Sequence, residues 1–376
     1  MRNLIIITAF NILLSTTVFA QENRISSKGF AVASKGAEFE TFEFSRHAVG
    51  ENDVLIDILY SSICHSDLHQ TRDDWRPGIY PMVPGHEMVG VVSKVGSKVT
   101  KFKVGDYAGV GTMINSTDET EAYKEKNGGY WNPAKTIWTY NSHDHVHDEP
   151  TRGGYANNIV VNQNFALKVP KNADLKKVAP LFCAGITVYS PIQFSEVKKG
   201  QKVAVAGFGG LGNMAVKFLQ HIGADITVID VNESKREIAK KMGLKYIDGN
   251  NQAELAKARG SFDFLLSTVP TSYDPFSYLD LVKVKGQMAV VGQPAADANA
   301  SISMTAFPFH QHKFIYGSVI GSLEMEQRMI NFCVENNIYP DVEIIEPNAK
   351  AITNVYKLLD KHEAQFRYVI DMTKLK

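Results

Sequence analysis

Cys64 and His86 are the residues of this chain with the clearest chemical promise, because a thiol and an imidazole are good ligands for a borderline-soft ion such as zinc. Each stands beside further polar groups. His65, Ser66, Asp67 and His69 follow the cysteine in ICHSDLH, and Glu87 follows the histidine in PGHE. A catalytic zinc wants three protein ligands and one open position, so a third ligand is expected elsewhere, and Cys183 in LFCAGITVY is the candidate. Taken alone, a cysteine in so apolar a segment reads as a small buried hydrophobe. Cys333 keeps that reading, since it shares a helical apolar face with Met329 and Ile330. Three cysteines make no disulfide scaffold.

A second constellation lies in KVAVAGFGGLGNMAVKFLQHIGADITVID. A strand from Lys202 to Ala206 runs into Gly207, Gly209 and Gly212, the G-x-G-x-x-G spacing, and a helix pattern follows to Ile222. Glycines there allow a tight turn and the close approach of a pyrophosphate, which rests on the helix N-terminus. Asp230 ends the next strand. A carboxylate at that place accepts hydrogen bonds from ribose hydroxyls and repels a 2′-phosphate, which favours NAD over NADP.

The motif GHEMVGVVSKVGSKV, with ICHSDLH, YPMVPGHE, LFCAGITVY and GFGGLG in order, resembles the zinc-containing medium-chain alcohol dehydrogenases, in particular the cinnamyl-alcohol-dehydrogenase-like branch. The likeness extends over nearly everything after residue 28. It implies an α/β protein with two folds: a GroES-like, partly open β-barrel catalytic domain, and a Rossmann domain with a doubly wound parallel sheet. It also implies Cys64, His86 and Cys183 as the zinc ligands. Zinc there acts as a Lewis acid on an alcohol or aldehyde oxygen. The resemblance further assigns a proton relay to Ser66 and His69, transient zinc ligation to Glu87, and support of a ligand histidine to Asp67. His65, Thr187, Gly210, Leu211, Val291, Gly292 and Ser322 fall on cofactor-binding places, and Trp75 falls on the substrate pocket, which hints at aryl or bulky apolar aldehydes. The branch commonly carries Ser or Thr where Asp230 stands and uses NADP. Lys235 and Arg236 lie near enough to meet a phosphate, but the electrostatic argument favours NAD. Relatives are commonly homodimers through the dinucleotide domain.

The elements that must position these residues fit that outline. VLIDILYSSI, VGVVSKVG and DYAGVGT read as short strands between Gly and Pro punctuation, and FDFLLSTV, GQMAVVGQP and KFIYGSVIGS alternate with helical patterns as a parallel sheet does. At 376 residues two domains are expected. The boundaries fall at residues 21–170 and 321–376 for the catalytic part and 171–320 for the dinucleotide part. Equal numbers of basic and acidic residues, 40 of each, give no excess charge to attract nucleic acid or an anionic membrane.

Three stretches stand apart. Residues 1–20, with Arg2 before an apolar run from Leu4 to Phe19 and a small residue at Ala20, read as a secretory signal peptide, so export is expected and a permanent anchor is not. The lobe that in the family holds a second, structural zinc through four cysteines has Thr117, Thr120 and Tyr123 at the first three places and no cysteine near Trp131, so one zinc per chain is expected. In SHDHVHDE, His143, His145 and His147 alternate, which in an extended strand would make one metal-binding face, but the stretch reads first as a solvated loop. Two functions remain. One is a zinc-dependent NAD(P)-linked alcohol dehydrogenase or aldehyde reductase; the other is an exported, non-catalytic binder of zinc or nucleotide on the same fold.

Overall fold

The structure is a computed structural model that describes residues 24–116, 136–296, 298, 302–361, 363–364 and 366–375. The apolar opening run and the lobe residues Thr117, Thr120, Tyr123 and Trp131 lie outside the described residues. Two sheets organise the molecule. The first has seven strands, running across from Leu167–Lys168 through Tyr107–Val110, Met88–Val95, Asp53–Ile63 and Arg367–Asp371 to Val342–Ile345, with Asn158–Asn162 also paired to Asp53–Ile63. Asp53–Ile63 is its backbone: a β-branched run of 11 residues whose register with Met88–Val95 shifts at Leu55/Ile56 and at Ile58/Tyr60. Such irregularities raise the local twist and let a sheet curl. The strand Arg367–Asp371 arrives from far along the chain, antiparallel to Asp53–Ile63 and parallel to Val342–Ile345.

The second sheet has six strands, all parallel. Its order is Lys245–Asp248, Asp225–Asp230, Lys202–Ala206, Phe262–Ser267, Val282–Val290 and Phe314–Gly317. Numbered within the sheet this is 3-2-1-4-5-6, the doubly wound arrangement whose ligand crevice opens where the order reverses, at the carboxyl end of the first strand. That is where Gly207 stands. The central strand KVAVA is almost wholly buried, as a strand covered on both faces must be.

Three apolar cores hold these layers. One fills the curled sheet around Ile56, Met88, Ile159 and Ile370, and another lies under Ala204, Leu265 and Met288. The largest joins the two halves: Phe182 and Ile186 pack with Val205, Phe208 and Met214, and also with Val89, Leu167, Met329 and Cys333. Burying each such Leu, Ile or Phe contributes ~1.5–3 kcal/mol, so the halves share a stabilising core. Cys333 is fully buried on the helix Leu323–Glu335 beside Met329 and Ile330. Among the described residues no helix is long and apolar enough to cross a membrane.

Candidate active site

The first site helix, His65–Thr71, begins directly after the strand Asp53–Ile63, with Cys64 as its N-cap. Asp67 stands at the third helical position and turns its carboxylate back: Oδ2 accepts the N–H of Cys64 at 2.9 Å, the N-terminal half of a capping box. The same carboxylate is fully buried and has three more donors. Tyr155 Oη donates to Oδ2 at 3.0 Å, the Gly85 N–H to Oδ1 at 3.2 Å, and His86 Nδ1 to Oδ1 at 2.9 Å. A carboxylate can only accept, so Nδ1 carries the imidazole proton and Nε2 keeps its lone pair. One acid thereby fixes the start of the helix, the turn before His86 and the tautomer of that histidine.

Cys183 reaches the same place from the other half of the molecule. It caps the helix Ala184–Phe194, which packs on the shared core. Ligand atoms of Cys64, His86, Glu87 and Cys183 all lie within 4.8 Å of one another, and all four residues are buried. The proton affinities are those of a crowded donor set. Hydrogen bonding from Cys183 holds Cys64 well below the ordinary thiol range, helped by Arg367 and His86, while that contact and burial push Cys183 well above it. Burial works against charge on His86, but Asp67 and Cys64 outweigh it and raise its proton affinity. Burial also lifts the Glu87 carboxyl to about 7 despite the nearby Arg367 cation. Arg367 Nη2 lies 3.1 Å from Glu87 Oε1, yet neither Glu87 oxygen makes a hydrogen bond among the described residues. Two thiols, an imidazole lone pair and a carboxylate with unmet capacity, buried together, fit a zinc ion, whose affinity grows as it replaces those protons.

Beside this set the helix presents His69. Its Nδ1 donates to Asp74 Oδ2 at 2.7 Å, and its Nε2 is buried without a partner among the described residues. The His69 ring stacks on Trp75 at 4.9 Å, and Trp75 Nε1 donates to Pro294 O at 3.0 Å, which ties the catalytic helix to the segment after Gly292. Ser66 Oγ accepts from Cys64 Sγ at 3.6 Å, and the His65 ring lies 4.9 Å from that of His69.

The glycine turn lies across the cleft. Gly207 has φ of +87°, a left-handed backbone that a side chain rarely adopts, and a Cβ on Gly212 would stand 2.0 Å from Gly207 O. A Cβ on Gly209 would meet nothing within 4 Å, which leaves room at the turn for a ligand. Gly210 begins the helix Gly210–Ile222 close against Arg367, and Leu211 packs on the shared core. Asp230 Oδ2 accepts the Phe208 N–H at 2.6 Å and Oδ1 that of Asn232 at 2.9 Å, so the carboxylate is fixed at the rim of the turn. Lys235 places its ammonium 5.5 Å from the Phe366 ring centroid. Thr187 is buried one turn after Cys183, with its N–H donating to Cys183 O at 2.9 Å. Val291 and Gly292 both donate their N–H to Ser267 O. Ser322 is committed differently: it caps the helix Leu323–Glu335 by accepting from Met325 N at 3.1 Å.

Arg367, Asp74 and Tyr155 belong to this site and escaped the sequence reading. Arg367 and Tyr155 come from distant strands and loops with no motif around them. Asp74 sits next to Trp75 in DDW, and its five-residue spacing from His69 is the only trace it leaves.

Comparison with known proteins decides the lineage. Residues 50–171 match the family model described as alcohol dehydrogenase GroES-like domain, and residues 210–335 match that described as zinc-binding dehydrogenase. The chain is 38% identical over 349 residues to NADP-dependent alcohol dehydrogenase C 1 of Mycolicibacterium smegmatis, covering 92% of this chain and 98% of the relative. The chain belongs to the zinc-dependent alcohol dehydrogenase family. Cinnamyl alcohol dehydrogenase 2 of Rauvolfia serpentina is 39% identical over 93% of this chain and 96% of its own length. The crystal structure of CAD from Helicobacter pylori complexed with NADP(H) superimposes with a TM-score of 0.88 at 46% identity, covering 93% of this chain and 99% of that one. The GroES-like and Rossmann folds expected from the sequence are those of this alcohol dehydrogenase family, and the catalytic function stands ahead of the non-catalytic binder. The expectation of export is corrected: the relatives matched over 98–99% of their own length are named as dehydrogenases, and they give the apolar run no support as an export signal.

Proposed function

We propose that this alcohol dehydrogenase interconverts primary alcohols and aldehydes, with aryl or other bulky apolar aldehydes as its substrate class and NAD(H) as its cofactor. The observation that carries the reading is the convergence of Cys64, His86 and Cys183 beside an unpartnered His69 Nε2. Zinc bound by Cys64, His86 and Cys183 supplies a Lewis acid for the substrate oxygen. Gly207, Gly209, Gly210 and Gly212 would cradle the pyrophosphate of a nicotinamide dinucleotide, which would supply or take the hydride. Ser66 Oγ, next to Cys64, holds the substrate hydroxyl or carbonyl oxygen and its proton. His69 Nε2 is the terminus of that proton's path, its other nitrogen held by Asp74. Glu87 offers an alternative ligand when the substrate position is vacant, and Arg367 balances its charge. Trp75 forms an apolar wall beside His69 that accepts an aromatic ring. His65, Thr187, Val291, Gly292 and Leu211 line the cofactor path. Ser322 supports it only through its helix cap.

The preference for NAD(H) rests on Asp230, whose carboxylate is pinned by two backbone N–H groups where a 2′-phosphate would lie. Two cations stand near that place, and the charge of Lys235 is already felt by Asp230. Arg236 pairs with Glu233 and Glu254 and lies over the Tyr246 ring, and Lys235 covers Phe366. The two relatives named above for NADP mark this as a departure within the family. Oxidation of NADH and NADPH with cinnamaldehyde, alongside metal analysis, tests the reading: turnover with about one zinc per chain and a higher kcat/KM for NADH is expected. Asp230→Ser should move the NADPH/NADH ratio up by roughly tenfold, about 1.4 kcal/mol. Wild-type preference for NADPH, or a ratio unmoved in the variant, overturns the cofactor assignment.

A homodimer is the expected assembly. Among the described residues the edge strand Phe314–Gly317 has no neighbour beyond it in its sheet, and Phe309 and Phe314 nearby are exposed. Light scattering that finds only monomers at micromolar concentration would remove it.

A further inference from the structure

His47, Asp53 and His147 form a second cluster of metal-ligand side chains, built from three separate segments. His47 follows the strand Phe39–Arg46, Asp53 opens Asp53–Ile63, and His147 sits in the turn between the paired strands His143–Asp144 and Glu149–Pro150. The alternation of three histidines in the sequence is therefore not what assembles it: the chain turns after Asp144, and His147 folds onto His47. We propose that His47, His147 and Asp53 bind a divalent transition-metal ion such as zinc, at a site separate from the Cys64, His86 and Cys183 set.

The donor geometry supports this. One ligand atom from each residue lies within 4.8 Å of those of the other two. The two imidazoles stack at 3.6 Å between centroids and 3° between planes, although their residues are a hundred positions apart in sequence. Each has one nitrogen already bonded, which settles its tautomer. His147 Nδ1 donates to the buried Asp144 Oδ2 at 2.6 Å, the carboxylate–histidine arrangement that metal-bound histidines use, and His47 Nδ1 donates to Ala48 O at 2.9 Å. Both Nε2 atoms keep a lone pair. Asp53 is 7% exposed, with Oδ2 accepting from Gly50 N at 3.0 Å and lying 3.9 Å from His47 Nδ1.

Acids and arginines meet around the pair: Arg46 and Arg152 line the same pocket and Arg24 reaches its edge. Asp53 and Asp144 face it directly, and Glu149 accepts the His47 N–H at 3.2 Å while pairing with Arg24. Burial, and then the neighbouring His147, push the proton affinity of His47 down, while the Asp144 hydrogen bond raises that of His147. A face-to-face stack keeps the two lone pairs parallel. Capture of an ion therefore needs one ring to turn about its Cβ–Cγ bond, a soft torsion, and to give up its present Nδ1 hydrogen bond. Imidazole and carboxylate donors suit zinc, copper or nickel, and three protein ligands leave a position for water. The ion would tie the turn to the root of Asp53–Ile63, the strand that leads to Cys64.

Zinc itself is the probe. The purified full chain, carrying its active-site metal, is equilibrated with micromolar zinc sulfate, freed of unbound metal, and analysed for zinc per chain. Wild type should retain about one ion more than His147→Gln or His47→Gln. His147→Gln, remote from the chemistry, should keep full turnover, which shows that the fold and the active-site metal are intact. Zinc should also raise the melting temperature of wild type and leave that of His147→Gln unmoved. Equal zinc in all three proteins, or no ion in wild type beyond the active-site one, overturns the proposal.

Discussion

Cys64→Ala is expected to release the zinc and reduce turnover by at least about 10⁴-fold, because loss of the Lewis acid removes several kcal/mol of stabilisation from the developing oxyanion, and ~5.5 kcal/mol is four decades in rate. The structure gives the reason for so steep a loss. Cys64 is simultaneously a thiol in the donor set, the N-cap of the helix that carries Ser66 and His69, and the residue whose N–H is held by Asp67. The backbone role survives the substitution and the sulfur does not. Circular dichroism should therefore stay native while metal analysis falls to background. Retention of stoichiometric zinc, or turnover within tenfold of wild type, would show that the ion is held by another set.

The second large effect concerns His69. Replacing it by Ala or by Gln should lower kcat by about 10²-fold or more, the usual worth of a positioned proton acceptor, with zinc content unchanged. Two observations lead there: Nε2 is buried without a partner, and Nδ1 is fixed by Asp74 at 2.7 Å. A purely structural histidine at this stack on Trp75 would show its loss in the melting temperature and leave the pH profile of kcat alone. Asp74→Asn separates the cases further, since it keeps the packing and removes the charge that orients the ring. If kcat and its pH dependence are unaltered in both His69 variants, proton transfer follows another path.

Much of this was legible because it is local. The polar cluster in ICHSDLH was legible, with Asp67 read as the support of a ligand histidine, whereas the helix His65–Thr71 and its capping by that acid were not. The turn at Gly207 has its strand before and its helix after, and the two Cβ-intolerant positions, Gly207 and Gly212, are the ones the spacing names. Cys183 was legible only through resemblance: an apolar flank makes a thiol look like core until the tertiary fold sets it beside Cys64. Arg367 was hidden for a related reason. Its partners Glu87 and Ile63 lie some three hundred residues earlier, so no window of sequence contains the pair. Ser322, placed by family pattern at the cofactor, also caps a helix through its hydroxyl, a local role the motif does not announce. The export expectation failed because composition at a chain's beginning cannot weigh what chemistry the remainder performs.

The position of Arg367–Asp371 inside the first sheet bears on how the protein is made. This strand sits against Asp53–Ile63, and Arg367 bonds Ile63 O across a separation of 304 residues. A ribosome adding ~5–20 residues per second needs roughly 15 to 60 s to span that interval. Through that time the Tyr60–Ile63 end of the strand stays open and able to pair with a neighbouring chain, since Asn158–Asn162 covers only Asp53–Asp57 on that edge. Synthesis must run at least to residue 371 before the edge closes and Glu87 meets its cation. A stop before residue 367 leaves the Tyr60–Ile63 end of that edge without its strand.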